Sequence, residues 1–228
     1  MCVHYRPPTP EALQAHFQLD NVPDGGQPDL WPGYTGLFIR RHALAEVGDE
    51  AVPAREALLG TFGLIPHWAK DRGIAKRTYN ARAETVADKP SFRDAWKNAQ
   101  FCLVPAEAIF EPDWRSGKAV ATRIARADGA PLGLAGLWAR WRVPGGEIAH
   151  SYTLLTINAD RHPLMRQFHR PTDEKRMLVI LPEDRHEGWL RADAKAAIDF
   201  LRPFPAEALR ADVPPRGERL APDAGARD

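Results

Sequence analysis

Short apolar runs recur along this chain, each closed by turn residues, and no regular succession of helices separates them. The runs cover residues 36–40, 57–65, 101–104, 108–110, 119–124, 132–138, 152–157 and 177–181. Parallel strands need crossovers of a dozen or more residues, usually helical. Several of these runs instead follow one another across turns such as Ser116-Gly117-Lys118 and Asp128-Gly129-Ala130-Pro131, which suit hairpins. The pattern predicts an α+β fold with a mostly antiparallel, barrel-like β core and peripheral helices.

The helices are few. Thr9-Pro10-Glu11 reads as N-cap, first-turn proline and first-turn acid of a helix carrying Leu13 and Phe17. Ser91 is the expected cap of a second helix over 91–99, and 183–190 and 193–201 read as two more, the last capped by Asp193. From Arg202 a Pro/Ala/Arg/Asp mixture reads as a weakly ordered tail, which divides the chain into a domain over 1–201 and a tail over 202–228. Two long polar stretches, 65–85 and 158–176, lack periodicity and are too rich in functional side chains to be plain connectors.

The 228 residues suffice for one sizeable core. A net charge of +1 rules out a global field that attracts nucleic acid or membrane, so any polyanion site must be a local cluster among the 31 Lys and Arg. Two cysteines, Cys2 and Cys102, make no disulfide framework and no cysteine-rich zinc site, so neither metal nor cofactor is expected and a cytoplasmic setting fits. No leader segment and no membrane-length apolar run is evident, and a monomer is the default.

Cys2 is the residue of greatest chemical interest. Removal of Met1 would make it an N-terminal 1,2-aminothiol, with an amine of pKa about 7.7–8.0 beside a thiol near 8.5. Such a pair condenses with an aldehyde to an imine and closes to a thiazolidine, or its thiolate attacks an acyl carbon. Cys102, inside an apolar run, reads as an inert core thiol. Asn80 and Arg82, two apart in Thr78-Tyr79-Asn80-Ala81-Arg82, point the same way if that segment is extended and suit a sugar oxygen next to a phosphate. Glu111 follows Ile109-Phe110, where a carboxylate at the mouth of a core would be desolvated and suited to proton transfer; Glu107 competes for that role. His169, in Gln167-Phe168-His169-Arg170, is a candidate proton carrier. Trp68, close to Lys70, Arg72, Lys76 and Arg77, has the makings of a base-stacking surface.

These motifs, in this order, resemble the SOS response-associated peptidase family, whose members attach covalently to abasic sites in single-stranded DNA. The resemblance rests on Met1-Cys2, Gly63-Leu64-Ile65-Pro66 with Trp68, Asn80-Ala81-Arg82-Ala83-Glu84-Thr85, Lys89-Pro90-Ser91-Phe92, Cys102-Leu103-Val104-Pro105-Ala106 leading to Glu111, Ala135-Gly136-Leu137-Trp138, and Thr156 through His169 to Arg176-Met177. It implies that Cys2 forms a thiazolidine with the open-chain abasic aldehyde. Asn80 would hold the sugar oxygen or Cys2, Glu111 would act on the Cys2 amine, and His169 would serve as acid and base. Arg82 would bind a phosphate, and Trp68, Arg77 and Arg170 would face DNA. The implied partner is single-stranded DNA bearing abasic sites. A cysteine-type (auto)peptidase on the same residues, or a noncovalent single-strand binder, are the alternatives. The chain departs from the family at Val3, at His4 where Arg is frequent, and at Pro112 where Trp is usual.

Overall fold

A computed structural model describes residues 3–45 and 52–212. Its strands, in chain order, are β1 (His4–Arg6), β2 (Thr35–Arg41), β3 (Arg55–Phe62), β4 (Asn80–Arg82), β5 (Phe101–Ala106), β6 (Ala108–Asp113), β7 (Val120–Arg126), β8 (Leu132–Arg142), β9 (Ile148–Asn158), β10 (Arg176–Leu178), β11 (Ile180–Leu181) and β12 (Leu209–Asp212). Three short α-helices accompany them: α1 (Pro10–Phe17), α2 (Arg93–Lys97) and α3 (His186–Arg191). The fold is α+β and mostly β, as the hairpin-rich sequence predicts.

Strands β9, β3, β2, β5 and β8 pair in succession, and β8 pairs back onto β9 to close a five-stranded barrel. Closure removes the exposed edges that an open sheet would present. The β3–β9 and β4–β9 pairings are parallel, while the remaining barrel contacts are antiparallel. The aromatic rings of Phe38, Phe62 and Tyr152 meet in the core, with Phe62 stacked on Tyr152 at 5.6 Å. A second, four-stranded sheet in the order β1-β6-β7-β12 carries the N-terminal strand.

The first long polar stretch is tied down by a small set of bonds. Gly63 leaves β3 at φ +117°, and a Cβ there would lie 2.1 Å from the Ala75 carbonyl oxygen, so this close approach requires glycine. Beyond it, the Leu64 amide donates to the Thr78 carbonyl, the Thr78 hydroxyl donates to the Leu64 carbonyl, and the Ile65 amide donates to the Ser151 hydroxyl. Fastened in this way, Asn80–Arg82 emerges as β4 alongside β9, with Asn80 opposite Leu154 and Arg82 opposite Thr156.

Some expectations are corrected. Thr9 caps α1 as predicted, accepting from the Ala12 amide, but Ser91 does not cap α2, whose N-cap is Phe92 without a side-chain bond. The expected strand over 177–181 is two strands, β10 and β11, separated at Val179, whose backbone bridges Leu155 and Ala135. The helix expected over 183–190 forms as a 3-10 turn (Glu183–Arg185) running into α3, whereas the one expected over 193–201 is a 3-10 helix over Ala196–Phe200. The weakly ordered tail does not begin at Arg202: Phe204 is buried and β12 pairs with β7 from Leu209 to Asp212. These residues carry enough apolar surface (Phe204, Leu209) to dock, which the Pro/Ala composition hid. Residues 213–228 lie outside the described part. Among the described residues no helix is long and apolar enough to cross a membrane.

Candidate active site

Glu111 lies near the end of β6, paired with Thr122 of β7, and is only 1% exposed. The segment before it is apolar because it is core: Ala108 and Ile109 are fully buried and Phe110 nearly so. Glu107, the competing carboxylate, is half-exposed and holds the guanidinium of Arg123 at 2.7 Å. The structure therefore separates the two: Glu107 is a surface ion pair and Glu111 a buried carboxylate.

The second long polar stretch brings His169 to Glu111. Phe168, fully buried, forms a β-bridge with Asp113, and the His169 amide donates to the Pro112 carbonyl at 2.9 Å. These bonds dock the loop on the end of β6. His169 itself adopts φ +64°, a left-handed conformation that costs a non-glycine residue about 1 kcal/mol. Its ring, 6% exposed, places Nε2 2.9 Å from Glu111 Oε2. The approach is close but off-line. Neither ring nitrogen of His169 nor Glu111 Oε2 makes a well-aligned hydrogen bond to another described residue. Buried polar atoms left in this state cost roughly 1–3 kcal/mol each, so the pair is a centre of unspent hydrogen-bonding capacity.

The same loop reaches β4. Glu174 holds Arg82 Nη1 at 2.9 Å and Arg176 Nη1 at 2.7 Å. Arg176 is almost fully buried, and its guanidinium also donates to Glu84, to the Thr156 carbonyl and to the Thr156 hydroxyl. Hydrogen bonds from Arg176 hold the Glu174 carboxyl below the usual carboxylate range, with Arg82 adding to the effect. Arg176 thus fixes Glu174, and Glu174 occupies Arg82. Lys175 closes the turn by donating to the His169 and Arg170 carbonyls.

The remaining candidates are placed as follows. Asn80 and Arg82 share a strand, two apart, as expected. Arg170 stacks its guanidinium over the Trp114 ring at 4.8 Å, beside the end of β6. Trp68 is 48% exposed in the turn after β3, and Arg77 is exposed at the end of the 3-10 turn over Arg72–Arg77. Among the described residues no hydrogen bond, ion pair or ring contact joins Trp68 or Arg77 to the Glu111–His169 pair. Cys102 is fully buried, and burial pushes its thiol well up, which keeps it unreactive. Cys2 lies outside the described residues. Among the described residues no cluster of His, Cys, Asp or Glu forms a metal-ligand set.

The sequence reading assigned no role to Glu174, Lys175 and Arg176, which the structure brings against the candidate residues. They are ordinary surface-type residues in a polar loop, and only their convergence on Arg82 and His169 sets them apart.

The family model described as SOS response associated peptidase (SRAP) matches residues 1–213. The chain belongs to that family. A crystal structure of a protein from Bordetella bronchiseptica is 46% identical, with a TM-score of 0.84, and the match covers 94% of this chain and 100% of that one. A crystal structure from Bacteroides thetaiotaomicron, 23% identical with a TM-score of 0.72, shares the fold over 92% of this chain and 90% of its own. Among curated proteins, the abasic site processing protein YoqW of Bacillus subtilis is 32% identical over 154 residues, which is 66% of this chain. The matched part spans 65% of that relative's length.

Proposed function

We propose that this SRAP-family protein acts on abasic sites in DNA, and that it captures them in single strands as a covalent thiazolidine on Cys2. The observation that carries this reading is the buried Glu111–His169 pair at the end of the strand that pairs with β1. In that pairing His4 is opposite Phe110, the neighbour of Glu111. A residue two steps before His4 lies within about 7 Å of it along an extended chain. Val3 alone joins Cys2 to this strand in the sequence.

The chemistry needs a neutral amine, a base and a proton donor. Met1 is removed first. The Cys2 amine then adds to the aldehyde of the ring-opened abasic sugar, and a proton passes from nitrogen to oxygen through Glu111 and His169. Loss of the carbinolamine hydroxyl as water, with a proton supplied by His169, leaves the imine. The Cys2 sulfur adds to the imine carbon while its proton goes to the nitrogen, closing the five-membered ring. Asn80 holds the sugar oxygen in this reading. Arg82 takes an adjacent phosphate once Glu174 gives way, and Trp68, Arg77 and Arg170 flank the strand. The name of the Bacillus relative, an abasic site processing protein, points to the same substrate.

A denaturing gel tests the reading. Wild-type protein incubated with an oligonucleotide carrying one abasic site gives a shifted band. The band is lost in Cys2→Ala and kept in Cys102→Ala. A wild-type chain that never shifts, in a preparation shown by intact mass to lack Met1, overturns it. Cleavage of a peptide panel that depends on Cys2, without any shifted band, would favour a peptidase instead.

A further inference from the structure

His4 stands where the N-terminal segment enters the fold, and it is held from several sides. Its imidazole is sandwiched between the Trp31 ring at 4.1 Å and the Phe110 ring at 4.2 Å, both within 12° of parallel. Its Nε2 lies 2.7 Å from Asp29 Oδ1, and the residue is 4% exposed. The loop carrying Asp29 and Trp31 is itself bonded to β1, since the Tyr5 amide donates to the Leu30 carbonyl and the Leu30 amide donates to the Tyr5 carbonyl. Arg6 sets its guanidinium 5.5 Å from the centre of the Phe110 ring and 3.4 Å from Asp29.

This much fastening is unusual for a three-residue edge strand. Among the described residues β1 pairs with β6 through His4, Tyr5 and Arg6. So short a ladder resists slippage weakly, and a slip of one residue would shift the chain by about 3.3 Å and reverse the faces of its side chains. Phe110 is the direct neighbour of Glu111, so the stack that fixes His4 also fixes β1 against the strand that carries the buried carboxylate. Reaction steps between positioned groups lose up to about a hundredfold for a misplacement near 1 Å.

We propose that His4 is a positioning residue for the capture reaction: the Trp31–His4–Phe110 stack and the His4–Asp29 bond lock the register of β1 against β6, the strand that carries Glu111. The role rests on the capture reading above. Two physical features of the side chain carry it, a flat ring that stacks and an N–H that donates to Asp29. They can be separated. His4→Phe keeps the stack and removes the donor. His4→Arg keeps both, because a guanidinium is planar, stacks on aromatic faces and pairs with carboxylates. His4→Ala removes both.

The test compares these chains with wild type, each shown by intact mass to have lost Met1. Crosslinking rate is measured at saturating abasic oligonucleotide. Noncovalent affinity is measured with the same oligonucleotide carrying a tetrahydrofuran analogue, which has no aldehyde. Amide exchange at Tyr5 and Leu30 reports the strand itself. His4→Ala is expected to slow the saturating rate by roughly ten- to a hundredfold, to speed exchange at both amides, and to leave tetrahydrofuran-oligonucleotide affinity within about twofold, since the lost positioning acts on the reacting groups. His4→Phe falls between, and His4→Arg recovers most of the rate. A His4→Ala chain that crosslinks as fast as wild type, or a His4→Arg chain as slow as His4→Ala, overturns the positioning role while leaving the capture reading in place. Loss of affinity in parallel with rate also overturns it, because that pattern marks a DNA contact. A wild-type chain that never crosslinks removes the capture reading and the positioning role together.

Discussion

His162 and His169 belong to one connection between β9 and β10 and are equally buried, at 6% exposure. Their surroundings differ completely. His162 Nε2 meets the Phe204 carbonyl at 2.8 Å, and its Nδ1 accepts from the Leu164 and Met165 amides. Every polar atom of that ring is used, and its work is to fold the loop and dock the C-terminal segment. His169 has Glu111 beside it and no well-aligned bond from either ring nitrogen to a described residue. Burial alone does not mark a histidine for chemistry; unused donor and acceptor capacity beside a second titratable group does.

The sharpest way to break this contrast is to remove each group in turn. Glu111→Gln preserves shape but not proton acceptance, and His169→Ala removes the proton carrier. Each is expected to slow abasic-site crosslinking by about a hundredfold or more, with the thermal transition little changed. His162→Ala should leave the rate within about twofold. A crosslinking defect in His162→Ala as large as that in His169→Ala would erase the distinction.

A third buried histidine extends the comparison to pH. His186 lies against the Leu181 carbonyl, and burial lowers its pKa to about 4. The unfolded chain takes up this proton near pH 6.5, so the group contributes no pH dependence above that. Between pH 6.5 and 4 the unfolded state binds more protons and stability falls as pH falls, by about 3 kcal/mol in all. Below pH 4 the contribution levels off. Urea unfolding across this window should show the slope in wild type and lose it in His186→Gln.

His162→Ala is expected to cost about 2 kcal/mol in the same measurement, from the stranded Leu164 and Met165 amides and the Phe204 carbonyl. The smallest effect belongs to the outer edge of the site. Glu174→Gln frees Arg82 of a competing charge and should tighten noncovalent single-strand binding several-fold, whereas Arg82→Ala should lower the salt slope by about 0.7, the contribution of one phosphate contact on a single strand. An unchanged affinity in Glu174→Gln would show that the carboxylate does not compete with DNA.

Some of the local geometry was legible in the sequence. Asn80 and Arg82 share a face because strand spacing is two, and Glu111 announced itself as a carboxylate at the end of an apolar run. The choice between Glu111 and Glu107 was not readable locally, since both sit among Ala, Ile and Phe. It follows from pairing: β7 and the 168–169 loop cover one and leave the other to Arg123. Helix expectations were least reliable around 193–201, where Asp193 does accept from the Lys195 and Ala196 amides but the segment is too short to propagate an α-helix, and packing leaves a 3-10 helix over Ala196–Phe200.

By itself the sequence determined the class of fold, through short apolar runs joined by turns, and the inventory of reactive groups, through residue types whose chemistry does not depend on context. Tertiary structure alone decided which of those groups meet. Barrel closure through β8 and β9, the docking of Phe168 on Asp113 and the stacking of His4 between Trp31 and Phe110 join residues far apart in the chain. Such contacts are set by the packing of the whole core rather than by any local pattern, because each is stable only when the elements on both sides are already in place.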